Sequence, residues 1–299
     1  MSERSTVRPV TLARLVELTN VCESGANSTT AIESALEISH RRARETILEA
    51  VRIGLLSEQS ATEDDPRYAT TSKGASFLES IRNRNWTRVS DLLGQDSPHF
   101  EAFLHAVTAV EPADPEVVLQ ELQSQHEGSS LDFNQTSIDV LGDWGERLGA
   151  IQRNAFTGAY YRVEQDDSPA GFPDTLLSVF EELEQTAGMN LSQRYLSIPE
   201  LREHTCERLR CSRDTFDENL LRLAGQNIGR VEMSGAPVDT EAKDSALGIK
   251  QVSLADEGEL VSTDQSTERV MTGVEQYGKQ YYYLAVHDED LNFEPTIDP

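Results

Sequence analysis

The chain has 299 residues, enough for two or three small domains, and carries 52 acidic against 26 basic side chains, a formal net charge of −26. The excess is uneven: residues 1–95 hold 12 basic and 13 acidic side chains, so nearly all of the negative charge lies beyond them. No run approaches the roughly 18 apolar residues of a membrane span, the first residues lack the apolar core of a signal peptide, and an odd count of cysteines (Cys22, Cys206, Cys211) suits a reducing compartment. A soluble, cytoplasmic chain without a membrane partner is expected.

Residues 10–96 read as a helix-rich unit. Leu12, Leu15, Val16 and Leu18 recur at helical spacing up to the stop pair Ser24-Gly25. Ser28 or Thr29 can cap a second helix carrying Ile32, Ala35, Leu36 and Ile38. Ser39 caps a third, in which Ala43, Ile47, Ala50 and Val51 keep helical spacing and Gly54 supplies the stop. Residues 55–58 are expected as a short strand, 61–66 as an acidic turn and 67–71 as the returning strand. A last helix runs from about Lys73 through Phe77, Leu78 and Ile81.

Three helices, then Gly54-Leu55-Leu56, a polar turn and the run from Arg67 to Leu78 resemble the winged helix-turn-helix superfamily of archaeal and bacterial regulators. In that superfamily a Gly-Leu-hydrophobic stop follows the recognition helix, and the returning wing strand reads Tyr-x-Leu-Thr-x-x-Gly. Tyr68, Thr71 and Gly74 match it, and Thr70 stands where Leu is usual. The resemblance covers roughly residues 10–95.

A second, winged-helix-like unit is expected over residues 97–168. Helices are read over 98–109, 114–126 and 136–148, the last with Ile138, Leu141, Trp144 and Leu148 on one face. Gly149-Ala150-Ile151 then stands where Gly54-Leu55-Leu56 stands in the first unit, and 158–163 reads as a returning strand. The acidic stretch 164–173, with Pro and Gly, marks the next boundary. Residues 169–299 are expected as a third winged-helix-like unit with an acidic C-terminal extension. Leu176, Leu177, Phe180 and Leu183 open it; Ser197-Ile198-Pro199-Glu200 is a helix start; Ser212 caps a helix with Phe216, Leu220, Leu221 and Leu223 inward. Residues 227–231 repeat the stop-then-strand pattern, 235–248 read as a long acidic wing, 249–254 as its return and 280–286 as a final strand. The tail after His287 reads as loose. The fold class expected is mainly α with small β-hairpin wings (α+β), built as tandem winged helix-turn-helix units.

Only four of the basic residues are lysines. This acid-rich, Lys-poor composition resembles that of extreme halophiles, haloarchaea above all, whose solvated carboxylates keep chains soluble where salt screens repulsion within about 3 Å at 1 M. A region that stays neutral in such a chain and clusters arginines suits an anionic partner, with double-stranded DNA first. His40, Arg41, Arg42 and Arg44 fall on the opening turns of the third helix, where a helix-turn-helix meets base edges and phosphates. Gln59 and Arg67 flank the expected wing, and Lys73, Arg82 and Arg84 follow it. These nine residues are the expected DNA contacts, since the arginine fork grips guanine or phosphate bidentately. The competing reading pairs Arg42 and Arg44 with Glu45 and Glu49 along a solvated helix.

The corresponding helices further on differ. Asp139, Asp143 and Glu146 stand against Arg147 alone, which suits a homodimer or protein-partner surface rather than phosphate. Arg202, Arg208, Arg210 and Arg213 sit among acids and read as a structural ion network. His204, Cys206 and Cys211 lack the second close pair that zinc requires, so neither metal nor cofactor is expected. No P-loop, nucleophile elbow or His-Glu-x-x-His motif is present, and Asp239, Glu241 and Lys243 are only faintly similar to the acid and lysine group of metal-dependent nucleases.

The function expected is non-enzymatic: a DNA-binding transcriptional regulator whose first unit reads duplex DNA while residues 97–299 serve dimerisation or partner assembly. The alternative is a non-catalytic winged-helix adaptor subunit of a larger DNA-processing or defence complex. A continuous positive strip on the first unit favours DNA, and an interrupted one the adaptor.

Overall fold

In the computed structural model, which describes residues 6–59, 66–164, 169–186, 195–235, 253–254, 260–261 and 270–294, the chain is mainly helical. Eleven helices and a few small antiparallel sheets make up the described residues, an α+β architecture. They divide into two compact units, one within Met1–Ile151 and Lys250–Asp264, the other within Gln152–Ile249 and Gln265–Pro299. The limit expected near residue 96 falls inside the first of these.

The first unit opens with α1 (Leu12–Val21), started by Thr11, whose side chain accepts the Arg14 amide at 3.4 Å. Its apolar stripe of Leu12, Leu15, Val16 and Leu18 is fully buried. β1 (Asn27–Ser28) runs into α2 (Thr29–Ala35), capped by Ser28, and α3 (His40–Arg52) is capped by Ser39. Ala43, Ile47 and Ala50 turn inward, and Gly54, at a φ of +74°, takes the left-handed conformation that ends the helix. β2 (Leu56–Glu58) and β3 (Arg67–Thr70) follow, and the sheet order is β1-β3-β2, with Asn27 opposite Tyr68 and Leu56 opposite Thr70. The acidic turn expected at 61–66 lies, apart from Pro66, outside the described residues. α4 (Ser72–Arg82), capped by Thr71, passes so close to the end of α3 that a Cβ on Gly74 would meet the Leu55 carbonyl at 2.3 Å.

α5 (Trp86–Asp96), α6 (Pro98–Val110), α7 (Pro115–Gln125) and α8 (Gln135–Arg147) complete the unit's helices. Ile138, Leu141 and Trp144 face inward as their spacing predicts, but α8 is buried far beyond that stripe. Asp143 and Arg147 are themselves buried and pair at 2.9 Å. The second carboxylate oxygen of Asp143 accepts the Leu12 amide at 3.0 Å, and Trp144 Nε1 donates to the Val10 carbonyl at 2.9 Å. The exposed carboxylate face expected of this helix is therefore reduced to Asp139 and a half-buried Glu146.

In the second unit, β4 (Ile151–Arg153) and β5 (Tyr160–Arg162) form a two-stranded sheet, with the buried Tyr161 hydroxyl held by Gln152. α9 (Phe172–Thr186), β6 (Leu196–Ser197), α10 (Ile198–Leu209), α11 (Arg213–Gln226) and β7 (Val231–Gly235) follow. The short β8 (Ser253–Leu254) and β9 (Leu260–Val261), assigned to the first unit, pair with each other. β10 (Val274–Gln276) turns into β11 (Lys279–Val286), which lies between β6 and β7: Leu284 faces Leu196 on one side and Met233 on the other. Leaving aside β8, β9 and β10, which intervene before the last strand, the order α9-β6-α10-α11-β7-β11, with β11 central, parallels α1-β1-α2-α3-β2-β3. Residues 98–162 instead run helix, helix, helix, hairpin.

The core of this unit gathers Phe172, Leu176, Ile198, Leu201, Phe216 and Leu284. Its tail is not loose over the described residues. Asn227 exchanges hydrogen bonds with the Asn292 backbone at 2.7 and 2.8 Å, Gln226 does the same with Glu294 at 3.2 and 3.0 Å, and Phe293 stacks on Phe172. Most of the long wing expected at 235–248 lies outside the described residues.

Candidate nucleic-acid interface

Each residue of a helix advances by about 100° around the axis. With Ala43, Ile47 and Ala50 buried, Arg41 faces outward beside a half-buried Glu45, while Arg42 and Arg44 fall on opposite flanks of the exposed face. Their surroundings agree with this geometry. Arg42 lines a cleft of about 680 Å³ together with Thr11 and Arg14 from the start of α1. Arg44 lies on the other side, beside Tyr68 of β3, whose phenol is pushed up by burial and by the Glu58 carboxylate and drawn back by Arg44.

The four expected residues at the head of α3 are brought together, but they differ in engagement. His40 Nδ1 stands 3.1 Å from Glu33 and Arg41 Nε donates to Glu45 at 3.2 Å, both as exposed pairs of small net worth. Arg42 and Arg44 are exposed and form no ion pair among the described residues. The competing pairing with Glu45 and Glu49 is not what the structure holds. Glu45 serves Arg41, and Glu49 is fully buried between Arg52, at 2.5 Å, and Arg8, at 3.3 Å.

Gln59 and Arg67 sit across from each other at the loop end of the β2–β3 hairpin, the Gln59 amide donating to the Arg67 carbonyl at 2.7 Å, and both side chains are exposed. Lys73 is turned inward. Its Nζ donates to the Ile53 carbonyl at 2.9 Å and to Asp96 at 2.6 Å, tying α4 and α5 to the end of α3. Arg82 is drawn to Glu23 and Asn20 at the C-terminal end of α1, and holds the Glu23 carboxyl below its usual value. The cleft beside Arg42 lies at the opposite end of that helix, about 15 Å away at 1.5 Å per residue. Arg84 is exposed in the turn after α4, at a φ of +53°. Arg14 was not among the expected contacts, although it sits one turn into a helix whose cap, Thr11, is readable from sequence.

The helix equivalent to α3 in the second unit is α11, and it carries a different surface. Its exposed first turns present Asp214 and Glu218. The nearby arginines are engaged: Arg202 grips Asp217 through two nitrogens at 2.7 and 3.1 Å, Arg213 holds the buried Glu203, Arg208 meets Glu182, and Arg210 reaches the Glu207 carbonyl. Arg202 also donates to the Thr272 carbonyl at 3.0 Å. Such arginines are spent on the fold, as an ion network requires.

Cys206 and Cys211 are buried free thiols, and His204 stacks against Phe156. No group of three metal-ligating side chains occurs among the described residues. Asp239, Glu241 and Lys243 lie outside them. No helix among the described residues is long and apolar enough to cross a membrane. No protein-family model matches the chain, and no curated protein matches its sequence.

Proposed function

We propose that this chain binds duplex DNA through α3 of a winged-helix first unit and acts in transcriptional regulation, with the later residues serving assembly with a second copy or a protein partner. The observation that carries the reading is the pair of exposed guanidiniums of Arg42 and Arg44, which form no ion pair among the described residues and lie on opposite flanks of one helix face. A helix lying in a major groove about 12 Å wide turns its flanks to the two phosphate walls and its crest, here Arg41, to the base edges. The order of elements α1-β1-α2-α3-β2-β3, with β3 central in the sheet, supports the resemblance on which the winged-helix reading rests. The acidic first turns of α11 suit a protein surface better than phosphate.

One observation favours the adaptor reading. Glu33 and Glu45 pair with His40 and Arg41, so the positive strip is interrupted by carboxylates. Titration of labelled duplex DNA with the full chain between 0.2 and 2 M potassium chloride separates the two. If about four cations (Arg41, Arg42, Arg44 and Arg67) neutralise phosphates, log K falls against log salt with a slope of about −3.6. A folded chain that leaves DNA free at 0.2 M salt supports the adaptor.

A further inference from the structure

The cleft beside Arg42 has features that DNA contact alone does not require. One wall is the segment leading into α1, with Val10, Thr11 and Arg14; the other is the head of α3, with Ser39, Arg41 and Arg42. The first wall is fixed from behind, because Trp144 holds the Val10 carbonyl and Asp143 holds the Leu12 amide. The volume of about 680 Å³ lies within the roughly 300–1,000 Å³ of small-molecule sites and is far more than a single ion fills.

We propose that this cleft binds a small molecule bearing a terminal phosphate monoester. Three guanidiniums line it, those of Arg14, Arg41 and Arg42, against the single carboxylate of Glu45. With Glu17 paired to Arg14 an excess of one positive charge remains, and three guanidinium forks suit the three terminal oxygens of a phosphate monoester better than the two of a diester. Arg42 forms no ion pair among the described residues; Arg41 is held by an exposed pair with Glu45 at 3.2 Å, and Arg14 by a largely buried Glu17 at 2.5 Å. The exposed Arg41–Glu45 pair contributes little and exchanges readily for a better anion, while Glu17 orients the Arg14 fork from behind. The cap hydroxyls of Thr11 and Ser39 accept the amides of Arg14 and Arg42, so each keeps its own O–H to donate to a phosphate oxygen. Pro9 and Ile38 add an apolar surface for the organic body of the ligand.

The proposal stands independently of DNA binding, and its test keeps the two apart. The full chain is titrated calorimetrically at pH 7.5 with ribose 5-phosphate and AMP as monoesters, cyclic AMP as a diester, and adenosine. At least one monoester is expected to saturate, at least tenfold tighter than cyclic AMP and adenosine, with at least a tenfold loss in Arg14→Ala and in Arg42→Ala. Absence of saturation by both monoesters, equal affinity for AMP and adenosine, or wild-type affinity in either variant overturns it. Circular dichroism verifies that the variants are folded; Arg14→Lys, which keeps the charge and loses the fork, is expected to bind between wild type and Arg14→Ala. Monoester binding without DNA binding supports the cleft and removes the DNA reading, while DNA binding without monoester binding overturns the cleft alone.

Discussion

The side chain of Asp143 accepts the backbone amide of Leu12 at 3.0 Å, so a residue of α8 caps the first helix from 131 positions further along the chain. Beside it, Trp144 donates to the Val10 carbonyl and is fully buried. The base of the arginine-bearing surface thus depends on residues far outside the stretch that resembles a winged helix. Trp144→Ala is expected to lower the unfolding free energy by about 3–5 kcal/mol, the usual cost of emptying a large buried aromatic site. Asp143→Ala removes the carboxylate that both pairs with the buried Arg147 and accepts the Leu12 amide, and is expected to cost about 3–5 kcal/mol as well. Denaturant unfolding of the full chain measures both, and a change below about 1 kcal/mol in either would contradict this packing.

Lys73 is expected to act on stability and not on DNA. Its ammonium bonds the Ile53 carbonyl and Asp96 within the fold, so Lys73→Ala should cost about 1.5 kcal/mol in unfolding free energy and leave DNA affinity within twofold of wild type. A tenfold loss of DNA affinity in a stable Lys73→Ala protein would place this side chain on the interface.

The head of α3 was legible from sequence because its signals are local. Ser28, Ser39 and Ser212 are the caps their positions suggest, and Gly54 ends α3 in the left-handed conformation that glycine favours. The apolar positions of α8 were equally readable, but its burial was not. Asp139, Asp143 and Glu146 look alike in sequence, and only a partner 131 residues away removes Asp143 from solvent. The same holds for the tail: Asn292 and Glu294 look like loop residues until Asn227 and Gln226 pair with their backbone. Lys73 and Arg82 read as phosphate contacts from their charge alone, and their turn into the fold depends on Asp96 and Glu23.

Acid should weaken the α1–α4 contact through Glu23. Arg82 holds the Glu23 carboxyl below its ordinary value of 4.5, so the folded state binds this proton less readily than the unfolded chain. The stabilisation is present above pH 4.5 and is lost as pH falls through the lowered value. Because the pair is partly exposed, the contribution is expected to be below about 1 kcal/mol. Comparing the stability of wild type and Glu23→Gln between pH 7 and pH 3 should show a difference at neutral pH that shrinks on acidification. A difference that grows with acid would reverse the sign of this coupling.

Thiol reactivity should report burial directly. Cys22 is almost inaccessible and its thiol is pushed up to about 11 by burial, against an opposing hydrogen bond from Asn27. Cys206 and Cys211 are buried too. At pH 8 the native chain is expected to resist iodoacetamide at all three positions and to take up three labels in denaturant, where thiol values return to about 8.5. Mass spectrometry that finds rapid native labelling of any of the three would contradict the packing around it.

The central claim is that the unpaired flanks of α3 grip DNA, and the double variant Arg42→Ala with Arg44→Ala tests it most directly. Both side chains are exposed, and neither takes part in an ion pair among the described residues, so the fold should survive their removal. Good guanidinium contacts to bases or phosphates are worth about 1–3 kcal/mol each, which sets the expected loss at about thirtyfold or more. Fluorescence anisotropy of a labelled duplex, titrated with the full wild-type and variant chains at one fixed salt concentration, reads this loss. The account predicts a drop of that size with unchanged circular dichroism. Equal affinity of the two folded proteins for the same duplex would contradict it.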